Sequence, residues 1–202
     1  MKICKINFPL RVLLLCLLTS TIVRAQSSKG VPVYEITPVV SKIDFSVKAS
    51  IALEGTFEKW NAELTFTSDD VSTGVLDIKI DAASVNTDSH MKDDKLKSKD
   101  FFDVKQDPYI TFHSTKIVQT APHTFDVQGT FTIRGVSKPE TLVFIADREA
   151  PGTGEINGTM AFDRKEFGMN SGIPFIRIAD RVAVTVDFKA KRTSGPPLLF
   201  KQ

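Results

Sequence analysis

From Tyr34 onward the chain switches between apolar and polar residues with a period of two. Ile43, Phe45 and Val47 fall on one face of an extended segment, with Lys42, Asp44, Ser46 and Lys48 on the other. Ala62, Leu64 and Phe66 alternate with Glu63, Thr65 and Thr67, and Leu76, Ile78 and Ile80 with Asp77, Lys79 and Asp81. Phe125, Val127, Phe131 and Ile133 stand against Asp126, Gln128, Thr130 and Thr132. Val182, Val184, Val186 and Phe188 do the same against Arg181, Thr185, Asp187 and Lys189. Successive side chains of a strand point to opposite faces, so this period predicts half-buried strands with one wet face. Adding residues 34–37, 109–116, 141–147 and 155–163 gives about eight or nine such segments, and the fold class is all-β.

One stretch breaks the period. Asp88 to Lys99 is polar, free of Gly and Pro, and carries Met91, Leu96 and charge pairs such as Asp93 with Lys97. It predicts a short surface helix with Asp88 or Ser89 as N-cap, placed between two strands where it can close one end of a barrel. Residues 193–202, from Thr193-Ser194-Gly195-Pro196-Pro197 onward, read as a loose tail. No repeat or linker divides residues 31–192, which predicts one domain. Antiparallel strands in this number form a sandwich or a barrel. Strands of about eight to ten residues suit the tilted staves of a barrel. So does an apolar face to which 14 of the 15 Phe contribute, all but Phe8. Alternation by itself leaves the sandwich open.

The N-terminal segment changes the charge and the redox picture. Lys2, Lys5 and Arg11 precede an unbroken apolar run from Val12 to Leu18, and the stretch ends Val23-Arg24-Ala25. This is the layout of a secretory signal peptide over residues 1–25, cleaved near Ala25. The run is far short of the roughly 20 residues of a membrane span. The expectation is a periplasmic or secreted protein. The whole chain has 26 Lys+Arg and 24 Asp+Glu, a net +2. Residues 1–25 hold four of the bases and no acid, so the remainder carries 22 bases against 24 acids, a net −2. A near-neutral domain has no electrostatic footprint for nucleic acid. Cys4 and Cys16 both lie in the signal segment, which leaves no disulfide, thiol nucleophile or thiolate ligand after cleavage.

Little in the sequence supports catalysis. His90, His113 and His123 are dispersed, with no metal-binding spacing, so no metal and no cofactor is expected. His113 falls on the polar face of its strand, His123 in a turn beside Pro122, and His90 in the expected helix. No Gly-x-Ser-x-Gly elbow is present. Asp69-Asp70 reads as a turn and Asp93-Asp94 as charges on a helix face. The apolar positions Phe45, Val47, Leu64, Phe66, Ile78, Ile80, Phe112, Phe131, Phe162, Val184 and Val186 are expected to face the interior. There they either fill a solid core or line a pore. Arg134-Gly135 reads as a strand end with a turn glycine, and Asp100-Phe101-Phe102-Asp103 as the exit from the helix, anchored by one Phe.

Several ordered blocks carry a resemblance. They are Tyr34-Glu35-Ile36, Ser41 to Val47, Gly55-Thr56-Phe57, Ser84-Val85-Asn86-Thr87, Leu96 to Val104 and Pro108 to Thr115. The most specific are Gly129 to Pro139 (GTFTIRGVSKP) and Phe162 to Met169 (FDRKEFGM). In these the chain resembles the YceI-like family of exported lipid-binding proteins, from Tyr34 to about Lys191. The resemblance implies an extended eight-stranded antiparallel lipocalin-like barrel with a short helix at one end. It further implies an apolar lumen holding a long-chain isoprenoid or fatty lipid, such as a polyisoprenoid, an isoprenoid quinone or a fatty amide, without catalysis. Arg164, Lys92, Lys95 and Arg177 are then candidates for the ligand head group at the mouth, with scaffolding the stronger role for Arg164. Transient membrane contact and a homodimer are compatible with this reading. Two blocks depart from the family pattern. Thr37-Pro38-Val39-Val40 stands where a His often follows Asp-Pro, and Asp93-Asp94-Lys95-Leu96 where Asp-x-His-Leu is frequent. Both bear on head-group preference.

Overall fold

A computed structural model of the chain describes residues 30–50, 53–150, 152–172 and 177–200. The expected signal peptide, with both cysteines, lies outside the described residues. Eleven strands form one antiparallel sheet: β1 (Val33–Ile36), β2 (Lys42–Ala49), β3 (Leu53–Phe57), β4 (Trp60–Thr65), β5 (Val75–Asp81), β6 (Val85–Asn86), β7 (Tyr109–Ala121), β8 (Thr124–Ile133), β9 (Val136–Ala150), β10 (Thr153–Asp163) and β11 (Ile178–Ser194). The helix α1 (His90–Lys97) follows β6, with Ser89 at its N-cap.

The ladder runs β4-β5-β7-β8-β9-β10-β11-β2-β3-β6, with β1 also on β11. Two breaks in the chain turn this sheet into a barrel. β1 and β2 lie end to end along one edge of β11, β1 against residues 190–194 and β2 against residues 178–187. β3 runs through Glu58-Lys59 into β4, pairing with β2 on one side while β4 pairs with β5 on the other. With β1/β2 and β3/β4 each counted as one bent stave, eight staves close on themselves. The barrel therefore replaces the sandwich.

The alternation places the faces as the sequence predicts. Ile43, Phe45 and Val47 are buried, and so are Leu76, Ile78 and Ile80, and Phe125, Val127, Phe131 and Ile133. Strand ends differ. β7 and β9 run well beyond the predicted segments, because paired backbone continues past the apolar pattern. The end of the chain differs as well. Thr193 and Ser194, read above as the start of a loose tail, are the last residues of β11. Beyond them Leu198 is buried, the Leu199 N–H donates to the Asp69 carbonyl at 2.8 Å, and Phe200 meets Phe125 with ring centroids 5.6 Å apart. Apolar side chains after the Gly-Pro-Pro turn hold this segment against the end of the barrel opposite α1.

Phe rings fill the interior by lying against glycine. A Cβ on Gly158 would stand 2.3 Å from the Phe144 ring, and one on Gly129 would stand 2.8 Å from the ring of Phe112. At Gly158 Val186 shares that space, standing 2.4 Å away, and at Gly129 the His113 carbonyl oxygen is closer still, at 2.4 Å. Ile43, Leu76, Val127 and Phe188 are almost wholly enclosed at mid-height. There the Trp60 and Phe188 rings stand 5.3 Å apart.

Candidate functional site

The end of the barrel beneath α1 carries an apolar cavity of about 60 Å³. Its walls are strand residues from the inward row: Ile43, Phe45 and Val47 of β2, Leu53 and Phe57 of β3, Ile80, Ile110, Phe131, Ile133, Phe162, Ile178, Val182 and Val184. Its lid comes from outside the sheet: Leu96 of α1, Phe101 and Phe102 just after it, and Met169. Phe57 bridges wall and lid, with its ring 5.5 Å from Phe45 and 5.8 Å from Phe102. Phe131, Phe162 and Phe167 form a second cluster with centroids 5.1 to 5.4 Å apart.

Arg164 is the one charged side chain in the lining, and it is buried. Its Nε donates to the Ala179 carbonyl at 3.2 Å. Nη1 donates to the Ser171 carbonyl at 2.9 Å and to that of Met169, and Nη2 to Asp180 Oδ1 at 3.1 Å. A buried cation is tolerable only when paired and hydrogen-bonded. Here the guanidinium fork fastens the loop after β10 to the start of β11. Gly168 closes the turn over residues 164–167 in the left-handed region (φ 76°), and its N–H donates to the Lys165 carbonyl at 3.0 Å. Asp180 also receives Lys165, at 2.8 Å. The Lys165 hydrogen bond, with help from Arg164, holds the Asp180 carboxyl below the usual carboxylate range.

The other head-group candidates lie at the same end. Lys95 is paired with Asp100 at 2.5 Å, and that bond lowers the Asp100 pKa. Arg177 is exposed beside Ile178, with its backbone bonded to Ser50 in both directions. Lys92 is half-buried on α1. Asp93 departs from the expected helix-face charge. It is buried and accepts from the Thr87 N–H at 2.9 Å and the Thr87 hydroxyl at 2.6 Å, tying the first turn of α1 to the end of β6. Phe101 and Phe102 are both buried, so two rings rather than one anchor the helix exit. Arg134 reinforces this rim from the β8–β9 turn, donating to the carbonyls of Lys99 (2.9 Å) and Gly168.

The eleven predicted interior positions divide into three groups. Phe45, Val47, Ile80, Phe131, Phe162 and Val184 line the cavity beneath α1. Ile78, Phe112 and Val186 are buried in the core away from it. Leu64 and Phe66 line a separate groove of about 540 Å³ between β1 and β4. Ile43, Ile133 and Val182 also line the cavity beneath α1; the alternation put them on the apolar rows, beside the neighbours singled out as interior positions. Leu96, Phe101, Phe102 and Met169 lie off the strands, where a period of two carries no signal.

The polar groups form no catalytic constellation among the described residues. His113 pairs with Asp77 at 2.6 Å on the outer wall, and His123 Nδ1 meets the Ala146 carbonyl at 3.1 Å. No cluster of three His, Cys, Asp or Glu side chains capable of holding a metal occurs among the described residues.

Comparison with known proteins agrees with this architecture. A UPF0312 protein of Pseudomonas savastanoi is 29% identical over 133 residues, covering 63% of this chain and 69% of the relative. The crystal structure of BcnA from Burkholderia cenocepacia is similar with a TM-score of 0.70 at 25% identity, over 77% of this chain and 99% of that one. A polyisoprenoid binding domain from Saccharophagus degradans shares the fold with a TM-score of 0.65 at 13% identity, over 80% of this chain and 99% of that one. The family model described as the YceI-like domain matches residues 34–190, and the chain belongs to that family.

Proposed function

We propose that this protein binds a long-chain amphiphile of the polyisoprenoid, isoprenoid-quinone or fatty-amide class in the barrel interior, and stores or carries it without transforming it. The observation that carries the reading is the cavity beneath α1. It is walled by Phe and aliphatic side chains, and its single charge, Arg164, is already committed to the scaffold. Such a wall can select a hydrocarbon tail and offers no group to transform it. The head group then lies at the rim near Lys92, Lys95 and Arg177. The N-terminal segment supports export to the periplasm or beyond, with the lipid exchanged in transient contact with a membrane.

Energetics favour a carrier. Burying a dozen methylenes contributes about 10 kcal/mol, at about 0.8 kcal/mol each, if the alternative is water. The real alternative is a bilayer, about as apolar as the lumen, so net transfer lies near zero and runs either way. The bound state demands a wider lumen than about 60 Å³, since ligand pockets usually enclose about 300–1,000 Å³. Widening comes from displacing Phe side chains of the lid and wall. The same small volume favours a second reading, a barrel with a solid core that acts in stress protection or as an interaction partner.

Displacement of a fluorescent fatty probe separates the two. Under the lipid reading the purified chain binds the probe, a polyisoprenoid competes it away, and Phe45→Trp weakens it about tenfold by filling the cavity. A solid barrel gives no saturable probe signal, and Phe45→Trp then changes nothing but stability.

A further inference from the structure

Among the described residues the barrel has one unladdered joint. β2 and β3 are paired from Val47↔Leu53 to Asp44↔Thr56, but below that level β1 and β4 stand side by side without a ladder between them. Their closest ring contact is Tyr34 against Phe66, with centroids 5.9 Å apart. The groove in this joint, about 540 Å³, is far larger than the cavity of about 60 Å³ beneath α1. It follows β4 from Asn61 to Phe66, about 17 Å at about 3.4 Å per residue.

The groove is two-faced. Ile36, Ala62 and Phe66 form its buried inner side, while Glu35, Asn61 and Glu63 stand exposed along its outer rim. A hydrocarbon chain lying along the inner side would cover apolar surface and leave the polar rim in water.

Between the groove and the cavity lies packed core, to which the Trp60 and Phe188 rings belong together with Ile43, Leu76 and Val127. Trp60 heads β4 and pairs in register with Ile80, which lines the cavity. Two residues further along the same strand Ala62 lines the groove. The Trp60 ring packs on Phe188, 5.3 Å between centroids, across this boundary. Every other neighbouring pair of staves is held by a ladder, so the β1/β4 joint is where the wall can part without breaking paired backbone.

We propose that the β1/β4 groove is a second binding site of the barrel, taking the far end of a long hydrocarbon chain whose near end occupies the cavity beneath α1, with Trp60 and Phe188 moving aside between them. This rests on the lipid-binding reading above and adds a chain-length rule to it. Short chains end at this packed core, and long ones pass it and gain the groove.

The test uses the chain from residue 26 onward and two probes with the same dansyl head, one on a decanoyl and one on a docosanoyl chain. Ala62→Leu, which fills the inner side of the groove, is expected to weaken the docosanoyl probe about tenfold and to leave the decanoyl probe within about twofold. In the unaltered chain Trp60 is the only tryptophan, so its emission maximum should shift on adding docosanoic acid and not decanoic acid, neither of which carries the dansyl group that would quench it by energy transfer. Equal effects of Ala62→Leu on both probes, or a Trp60 response independent of chain length, overturn the groove assignment. Phe45→Trp separates this failure from failure of the underlying reading. If it weakens both probes while Ala62→Leu changes neither, the lumen stands and the groove falls. If the unaltered chain binds neither probe, both fall.

Discussion

Ser114 and Arg164 are polar residues held inside an apolar barrel, and each is kept there by its bonds. The Ser114 hydroxyl accepts the Leu76 N–H at 2.7 Å, where the β5–β7 register ends at Asp77↔His113 and β7 bulges on β8 before Lys116. A side chain there completes what the ladder leaves open. Arg164 does the same for the rim, with four donated bonds joining the loop after β10 to β11. Its role as scaffold or as head-group contact is open to measurement. Arg164→Lys keeps the charge and loses the planar fork, leaving loop carbonyls without donors while Asp180 keeps Lys165. The expected cost is about 1–3 kcal/mol in urea denaturation, the range for leaving buried acceptors unsatisfied. Probe affinity of the folded fraction should stay unchanged. A variant of undiminished stability with weakened probe binding would reassign Arg164 to the ligand.

At the scale of elements, the staves were legible in the sequence and the lid was not. A period of two identifies inward rows, and the rows holding Ile43, Ile78, Val127 and Phe131 are buried as that period requires. Leu64 and Val184 are only half-buried: Leu64 faces the unladdered joint and Val184 the cavity. The helix was recognisable from its composition, yet what docks it is the pair Phe101 and Phe102 and the buried Asp93–Thr87 bonds. These contacts join residues in different local structures, and no single periodicity reports them.

The Lys95–Asp100 bond ties α1 to the segment that follows it, and it gives the lid a pH dependence. The Lys95 hydrogen bond lowers the Asp100 pKa from its ordinary 3.8. A carboxyl with a depressed folded pKa stabilises the fold above its unfolded value, and the benefit disappears as pH falls through the lower folded value. Asp100→Asn should therefore lower Tm modestly at pH 7, by a few degrees at most for so accessible a pair. The gap between variant and parent should close below about pH 4. Thermal melts across this range check it, and a gap that persists in strong acid would mean that Asp100 acts through packing rather than charge.

For the whole molecule, closure depends on contacts between residues far apart in sequence. Ile36 pairs with Ala190, Val47 with Val182 and Ala49 with Ile178, so one stave draws the N-terminal and C-terminal strands together. Alternation could supply the staves but not their order, and for that reason it left the sandwich open. The ordered blocks from Tyr34 to Lys191 carried the choice. The segment after Ser194 was misread because Gly195-Pro196-Pro197 signals a turn and says nothing about the apolar residues after it. Leu198 docks all the same.

The central claim is that the barrel interior holds a lipid tail. Mass spectrometry of an organic extract tests it most directly, using protein purified from its own host without detergent. The account predicts one dominant long-chain isoprenoid or fatty species, near one equivalent per chain and depleted in Phe45→Trp. An extract with no lipid above that of a control protein of the same compartment, from correctly folded material, would contradict it.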